Sequence, residues 1–97
     1  MEKKKILIVE DEIIIAENIK KHLQAKDYNV LGIITMGEDA IEALSLLKPD
    51  LVLLDIKLEG SMDGIQVAEI IRQEHQIPVI FLTSYGDDNT LSQAILS

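Results

Sequence analysis

The sequence predicts an α/β domain: one parallel sheet with helices on both of its faces. Three observations carry that reading. Apolar runs at residues 6–9, 51–54 and 79–82 recur between longer stretches of helical periodicity. Each run is continuous, as a parallel strand buried on both faces must be, whereas a strand with one wet face would alternate. Each also stops abruptly at polar residues, namely Glu10-Asp11-Glu12, Asp55 and Thr83-Ser84. Strand and helix alternate along the chain, and right-handed crossovers then place helices against the sheet.

The elements follow in order. Ile6-Leu7-Ile8-Val9 is rich in β-branched side chains and predicts a central strand. Residues 12–25 turn helical, with Ile15, Ile19 and Leu23 on one face, Ala16 beside them, and Lys20, Lys21 and Gln24 left to solvent. His22 falls near the edge of that face and reads as a surface histidine, since no acid or second histidine is predicted beside it. Asp27-Tyr28-Asn29 breaks the helix. Residues 30–34 predict the next strand, placed at a sheet edge by Gly32 and by its polar start.

Thr35 and Glu38 have the spacing of a capping box that opens a helix through Lys48, with Ala40, Leu44 and Leu47 as its stripe and Ile41 alongside. Lys48-Pro49-Asp50 separates it from Leu51-Val52-Leu53-Leu54, the run that ends in Asp55. A loop over residues 56–62 leads to Asp63, an expected N-cap, and to a helix whose Val67, Ala68 and Ile71 face inward. Ile77-Pro78 restarts extended chain before the strand over residues 79–82. Asp87 or Asp88 can cap a last helix in which Leu91, Ala94 and Ile95 share a face.

Composition narrows the function. With 97 residues the chain is one small domain, and 47% apolar content argues against disorder. A formal charge of −8 disfavours direct contact with nucleic acid or anionic lipid, both of which need a positive surface. The absence of cysteine excludes disulfides and thiolate metal sites and permits a reducing compartment. Lys3-Lys4-Lys5 precedes an apolar run that Glu10 ends too early for a signal peptide, and no other run approaches a membrane span.

If the strands ending at Glu10-Asp11 and Asp55 are neighbours, three carboxylates share one mouth. Such a cluster is costly unless a cation neutralises it or protons stay bound. Oxygen ligands without cysteine or histidine pairs point to magnesium. Taken singly, Glu12 or Asp63 reads as a solvated terminus or helix cap; the set reads as a cation site.

At these residues a resemblance becomes specific. Ile6-Leu7-Ile8-Val9-Glu10-Asp11-Glu12, the strand through Asp55 with Ile56-Lys57-Leu58 and Met62-Asp63-Gly64 after it, and Pro78-Val79-Ile80-Phe81-Leu82-Thr83-Ser84 are similar to a response-regulator receiver domain of two-component signal transduction. The likeness covers nearly the whole chain. It implies a flavodoxin-like doubly wound sheet of strand order 2-1-3-4-5, and residues 1–97 as one receiver domain incomplete at its C-terminus, lacking the fifth strand and helix. Asp55 resembles the residue that accepts a phosphoryl group from a sensor histidine kinase. Asp11 and Asp55 match direct magnesium ligands, Lys57 the backbone carbonyl ligand, and Glu10 the acid that holds a metal-bound water. Thr83 resembles the hydroxyl residue that contacts the phosphoryl oxygens and acts in the switch.

The same resemblance implies a cytoplasmic phosphoacceptor rather than an enzyme, with at most self-catalysed phosphorylation and dephosphorylation. Its implied partners are the kinase and an output domain or downstream protein, with no direct binding to nucleic acid or membrane. The open edge expected at the fourth strand implies either further residues beyond the 97 or self-association, as a homodimer, through that strand or the fourth helix. The chemistry agrees: a carboxylate beside magnesium can attack phosphorus in line and form an acyl phosphate, while a hydroxyl donates to the oxygens as charge develops.

Three departures accompany the likeness. Glu10 stands where many receivers carry Asp, the loop over residues 58–62 is one residue longer than the commonest form and lacks its usual proline, and the phosphoryl-pairing lysine and switch aromatic of receivers are not found within the 97 residues. Other classes fit less well. A haloacid-dehalogenase-like phosphatase needs a second Asp where Lys57 stands, and a dinucleotide-binding module needs glycines where Glu10-Asp11-Glu12 stands. A non-phosphorylated receiver-like interaction module is the remaining alternative.

Overall fold

Lys5–Val9 forms β1, whose four apolar side chains are all buried. It is flanked in parallel by β2 (Asn29–Ile34) and β3 (Leu51–Asp55), and β4 (Val79–Leu82) pairs with β3, so the sheet runs β2-β1-β3-β4. The helices are α1 (Ile13–Ala25), α2 (Gly37–Leu47) and α3 (Gly64–Ile70), and α3 continues through a π-wound turn over Ile71–His75. The computed structural model describes residues 3–58, 60 and 62–82. Thr83 and the expected last helix, with Asp87, Asp88, Leu91, Ala94 and Ile95, lie outside those residues. No helix among the described residues is long and apolar enough to cross a membrane.

Continuous apolar runs are needed because the strands feed two cores. Leu7, Val9, Val52 and Leu54 point to one face, where they pack with Ala40 and Leu44 of α2 and Val67 and Ala68 of α3. Ile6, Ile8, Leu53 and Leu82 point to the other, against Ala16 and Ile19 of α1. The crossover through α1 carries the chain from β1 to β2, and the crossover through α2 must return across β1 to reach β3. Two right-handed crossovers in opposite directions put their helices on opposite faces. The reversal falls between β1 and β3, and it opens a crevice at their carboxyl ends.

The predicted edge position of residues 30–34 is observed. β2 is half-buried, and its register slips: Ile6 faces Val30 but Leu7 faces Gly32, so Leu31 is an extra residue. An edge strand absorbs such a bulge without disturbing a second neighbour. Beyond the slip the ladder is regular, and the Glu10 N–H donates to the Ile34 carbonyl at 3.0 Å.

One cap differs from expectation and one agrees. The Thr35–Glu38 box does not form: Met36 is the N-cap of α2 and makes no side-chain cap bond. A Cβ on Gly37 would overlap Val67 Cγ2 and touch Leu58 Cδ1, so glycine lets the start of α2 lie close against α3. Glu38 is half-buried, and its Oε1 is buried with no hydrogen-bond partner among the described residues. Asp63, by contrast, caps α3 as expected: its Oδ1 accepts from the Gln66 N–H at 2.9 Å, while Gln66 Oε1 accepts from the Asp63 N–H at 3.0 Å.

α2 ends in a left-handed residue, Lys48, with φ 48° and ψ 59°. A side chain there is strained, whereas glycine adopts this conformation freely but gains unfolded-state entropy. Lys48→Gly is therefore expected to raise stability by roughly 0.5–1 kcal/mol in urea denaturation. An unchanged or lowered midpoint would contradict the strain assigned to Lys48.

Candidate acidic site at the ends of β1 and β3

Register builds the site. Val9 faces Leu54 across β1 and β3, so the residues that follow, Glu10 and Asp55, emerge side by side at the crevice. Each is only 1% exposed, an unusual depth for two acids. Asp11, half-buried, completes the group: carboxylate oxygens of Glu10, Asp11 and Asp55 lie within 4.8 Å of one another. Glu12 is exposed and contributes its backbone, whose N–H donates to Glu10 Oε2 at 3.1 Å.

On the β3 side the Lys57 N–H donates to Asp55 Oδ1 at 3.1 Å, and the Ile56 N–H donates to the Leu82 carbonyl at 3.1 Å. These bonds hold the chain beyond β3 against the sheet. The start of α3 closes on the same turn, since the Gly64 N–H donates to the Ile56 carbonyl at 3.1 Å. A Cβ on Gly64 would overlap the Asp55 carbonyl and sit 2.7 Å from that of Ile56, so only glycine lets α3 begin this close to Asp55.

Electrostatics follow from the geometry. Glu10 is pushed up to about 8, first by burial and then by its hydrogen bond to Asp55, with Asp11 and the Asp55 charge adding and the Glu12 N–H opposing. Three carboxylates this close do not all ionise, and the cluster keeps a proton on Glu10 near neutral pH. Their donor set is all oxygen, the set a hard divalent cation such as Mg²⁺ prefers. The structure thus brings Glu10, Asp11 and Asp55 together and sets the Lys57 backbone against Asp55, while Thr83 lies outside the described residues. Reading the sequence missed the close approach of Gly64, whose signal was its place directly after the Asp63 cap. It also assigned Glu38 to a helix cap, although that residue faces the connection between β3 and α3.

Comparisons with known proteins agree in kind. The sequence model of the response regulator receiver domain family matches residues 6–97. The chain is 37% identical over 93 residues to the response regulator protein VraR of Staphylococcus saprophyticus, covering 94% of this chain and 44% of that protein. It is 30% identical over 92 residues to the transcriptional regulatory protein YdfI of Bacillus subtilis, covering 94% and 43% respectively. It therefore spans less than half the length of these relatives. Among solved structures, the signal receiver domain of a modulated diguanylate cyclase from Desulfovibrio desulfuricans superposes with a TM-score of 0.81 at 36% identity, covering 94% of this chain and 73% of that one.

The raised Glu10 value sets a pH dependence. Between about 4.5 and about 8 the folded metal-free protein holds a proton that the unfolded chain has released, so stability falls as pH rises through that window. The urea midpoint is expected to be higher near pH 5 than near pH 8, and Glu10→Gln should flatten the difference. A midpoint that rises across the same range would contradict the shared proton.

Proposed function

Because the chain belongs to the response regulator receiver domain family, we propose that Asp55 is its phosphoacceptor, taking a phosphoryl group from a sensor histidine kinase at a magnesium site. The observation that carries the reading is the Asp55 carboxylate itself, 1% exposed and grouped with Glu10 and Asp11 at the reversal of the sheet. A carboxylate so deep gains reactivity only if its charge is matched from within the crevice.

In this reading Asp11 and Asp55 bind magnesium directly, Lys57 offers its backbone carbonyl, and Glu10 acts through a water. The retained proton and the all-oxygen donor set support the fit. Bound magnesium would screen the charge of the incoming phosphoryl oxygens. The chain's own residues do the rest. The Lys57 N–H bond orients Asp55 so that its other oxygen is available for in-line attack, and burial keeps competing water from the acyl phosphate. Thr83 is the proposed hydroxyl donor to the phosphoryl oxygens. Glu10, longer than Asp by one methylene, suits a contact through water better than a direct one.

The chain would act as a phosphoacceptor, self-catalysing at most its own phosphorylation and dephosphorylation. An output segment like that of a transcriptional regulatory protein is the proposed downstream partner, and the cytoplasm, where a kinase domain meets it, the proposed location. A phosphatase of the haloacid-dehalogenase type is disfavoured, because Lys57 stands where that chemistry needs a second carboxylate.

Two variants test the site. Asp11→Asn should weaken magnesium binding by about tenfold or more in calorimetric titration and raise metal-free stability, since one clustered charge is lost without change of shape. Binding equal to the parent's would remove Asp11 from the site. Asp55→Asn, still folded, should show no phosphoryl mass gain with a small-molecule phosphodonor and magnesium. A gain that persists would move the acceptor elsewhere.

A further inference from the structure

The two ends of one peptide unit are both engaged beside Asp55. The bond joining Ile56 to Lys57 is trans, so its carbonyl and its N–H point in opposite directions from one rigid plane. On one side the Ile56 carbonyl accepts from the Gly64 N–H at 3.1 Å. On the other the Lys57 N–H donates to Asp55 Oδ1 at 3.1 Å. The first amide of α3 and the carboxylate of Asp55 are therefore joined through a single planar group, and a rotation of that plane that breaks one bond breaks the other.

The start of α3 is the fixed end of this relay. Asp63 and Gln66 hold it by reciprocal bonds of 3.0 and 2.9 Å, and Val67 and Ala68, one turn on, are fully buried in the core. Gly64 has no room for a side chain: a Cβ would overlap the Asp55 carbonyl, 2.7 Å from the Ile56 carbonyl oxygen and 2.8 Å from the Ile56 Cα. Glycine is a poor helix former, and Gly64 does not use the positive φ that would otherwise call for one. Its place is explained by the approach to Asp55 and Ile56. We propose that Gly64 is a positioning residue for Asp55: its N–H, brought close because no side chain intervenes, sets the plane of the peptide between Ile56 and Lys57 and so the direction of the Asp55 carboxylate. The functional consequence rests on the magnesium and phosphoacceptor reading of Asp55, whereas the order of the peptide is measurable without metal.

The experiment uses the full chain with two variants that disturb the relay differently. Gly64→Ala adds the methyl that meets the Asp55 carbonyl, and Asp63→Ala removes the cap while adding nothing near Asp55. In the metal-free protein, amide hydrogen exchange at Lys57 should rise several-fold in both, measured relative to the Ile8 amide of central β1 in the same variant. Magnesium affinity should fall about tenfold in Gly64→Ala, the scale at which a residue that orients a ligand acts on a metal site. A ratio of Lys57 to Ile8 exchange equal to the parent's in Gly64→Ala would overturn the proposal, because a glycine needed for packing alone loosens both amides alike. Magnesium affinity equal to the parent's would also overturn it. Should Gly64→Ala not fold, the exchange ratio in Asp63→Ala decides in the same way. Should the parent itself bind no magnesium, the site reading fails, and the exchange ratio alone then decides the role of Gly64.

Discussion

The burial of β1 and β3 on both faces is the constraint from which the rest follows. A strand packed between helices on either side tolerates no charge along its length, so Ile6 to Val9 and Leu51 to Leu54 are uninterrupted, and the first acid can appear only where each strand leaves the layers. Because the two strands are neighbours in register, that exit is shared. Glu10 and Asp55 are therefore adjacent by necessity of the sheet, and the return of the chain across β1 leaves no crossover to cover them. One topological event supplies the crevice, the carboxylates and their proximity.

Several local rules are broken beside the acidic site. Glu10 is held near 8 by burial and by Asp55, Glu38 Oε1 has no donor among the described residues, Gly60 takes a positive φ, and Gly64 allows an approach to the Asp55 carbonyl that a Cβ would block. Away from the site the described residues show apolar clusters on both faces, a satisfied capping box at Asp63 and an exposed ion pair between Lys3 and Asp27 at 3.1 Å, together with the left-handed Lys48 and the bulge at Leu31. Buried, crowded carboxylates such as Glu10 and Asp55 cost stability in the metal-free protein.

Much of this was legible in the residues because the signals were short-range and redundant. Continuous apolar runs ended by acids gave the strands and the mouth of the site, Gly32 marked the edge strand, and Asp63 announced α3. The misses have a common cause. Thr35 and Glu38 match a capping box by spacing, but α2 opens one residue later, with Met36 as its N-cap and Gly37 where a Cβ would overlap Val67, a neighbour no local window contains. The extra residue at Leu31 and the π-wound turn over Ile71–His75 likewise depend on neighbours distant in sequence. Gly64 was visible as a helix-opening glycine; its fit against the Asp55 carbonyl needed coordinates.

The central claim is that Glu10, Asp11 and Asp55 form one hard-cation site beside the Lys57 backbone. Substituting paramagnetic Mn²⁺ for Mg²⁺ and following backbone amide signals locates the ion directly. The account predicts that substoichiometric Mn²⁺ selectively broadens the amides of Glu10, Asp11, Glu12, Ile56 and Lys57, and that excess Mg²⁺ reverses it. Broadening centred on another acidic surface, such as Glu38 and Asp39, or spread evenly over the chain, would contradict it.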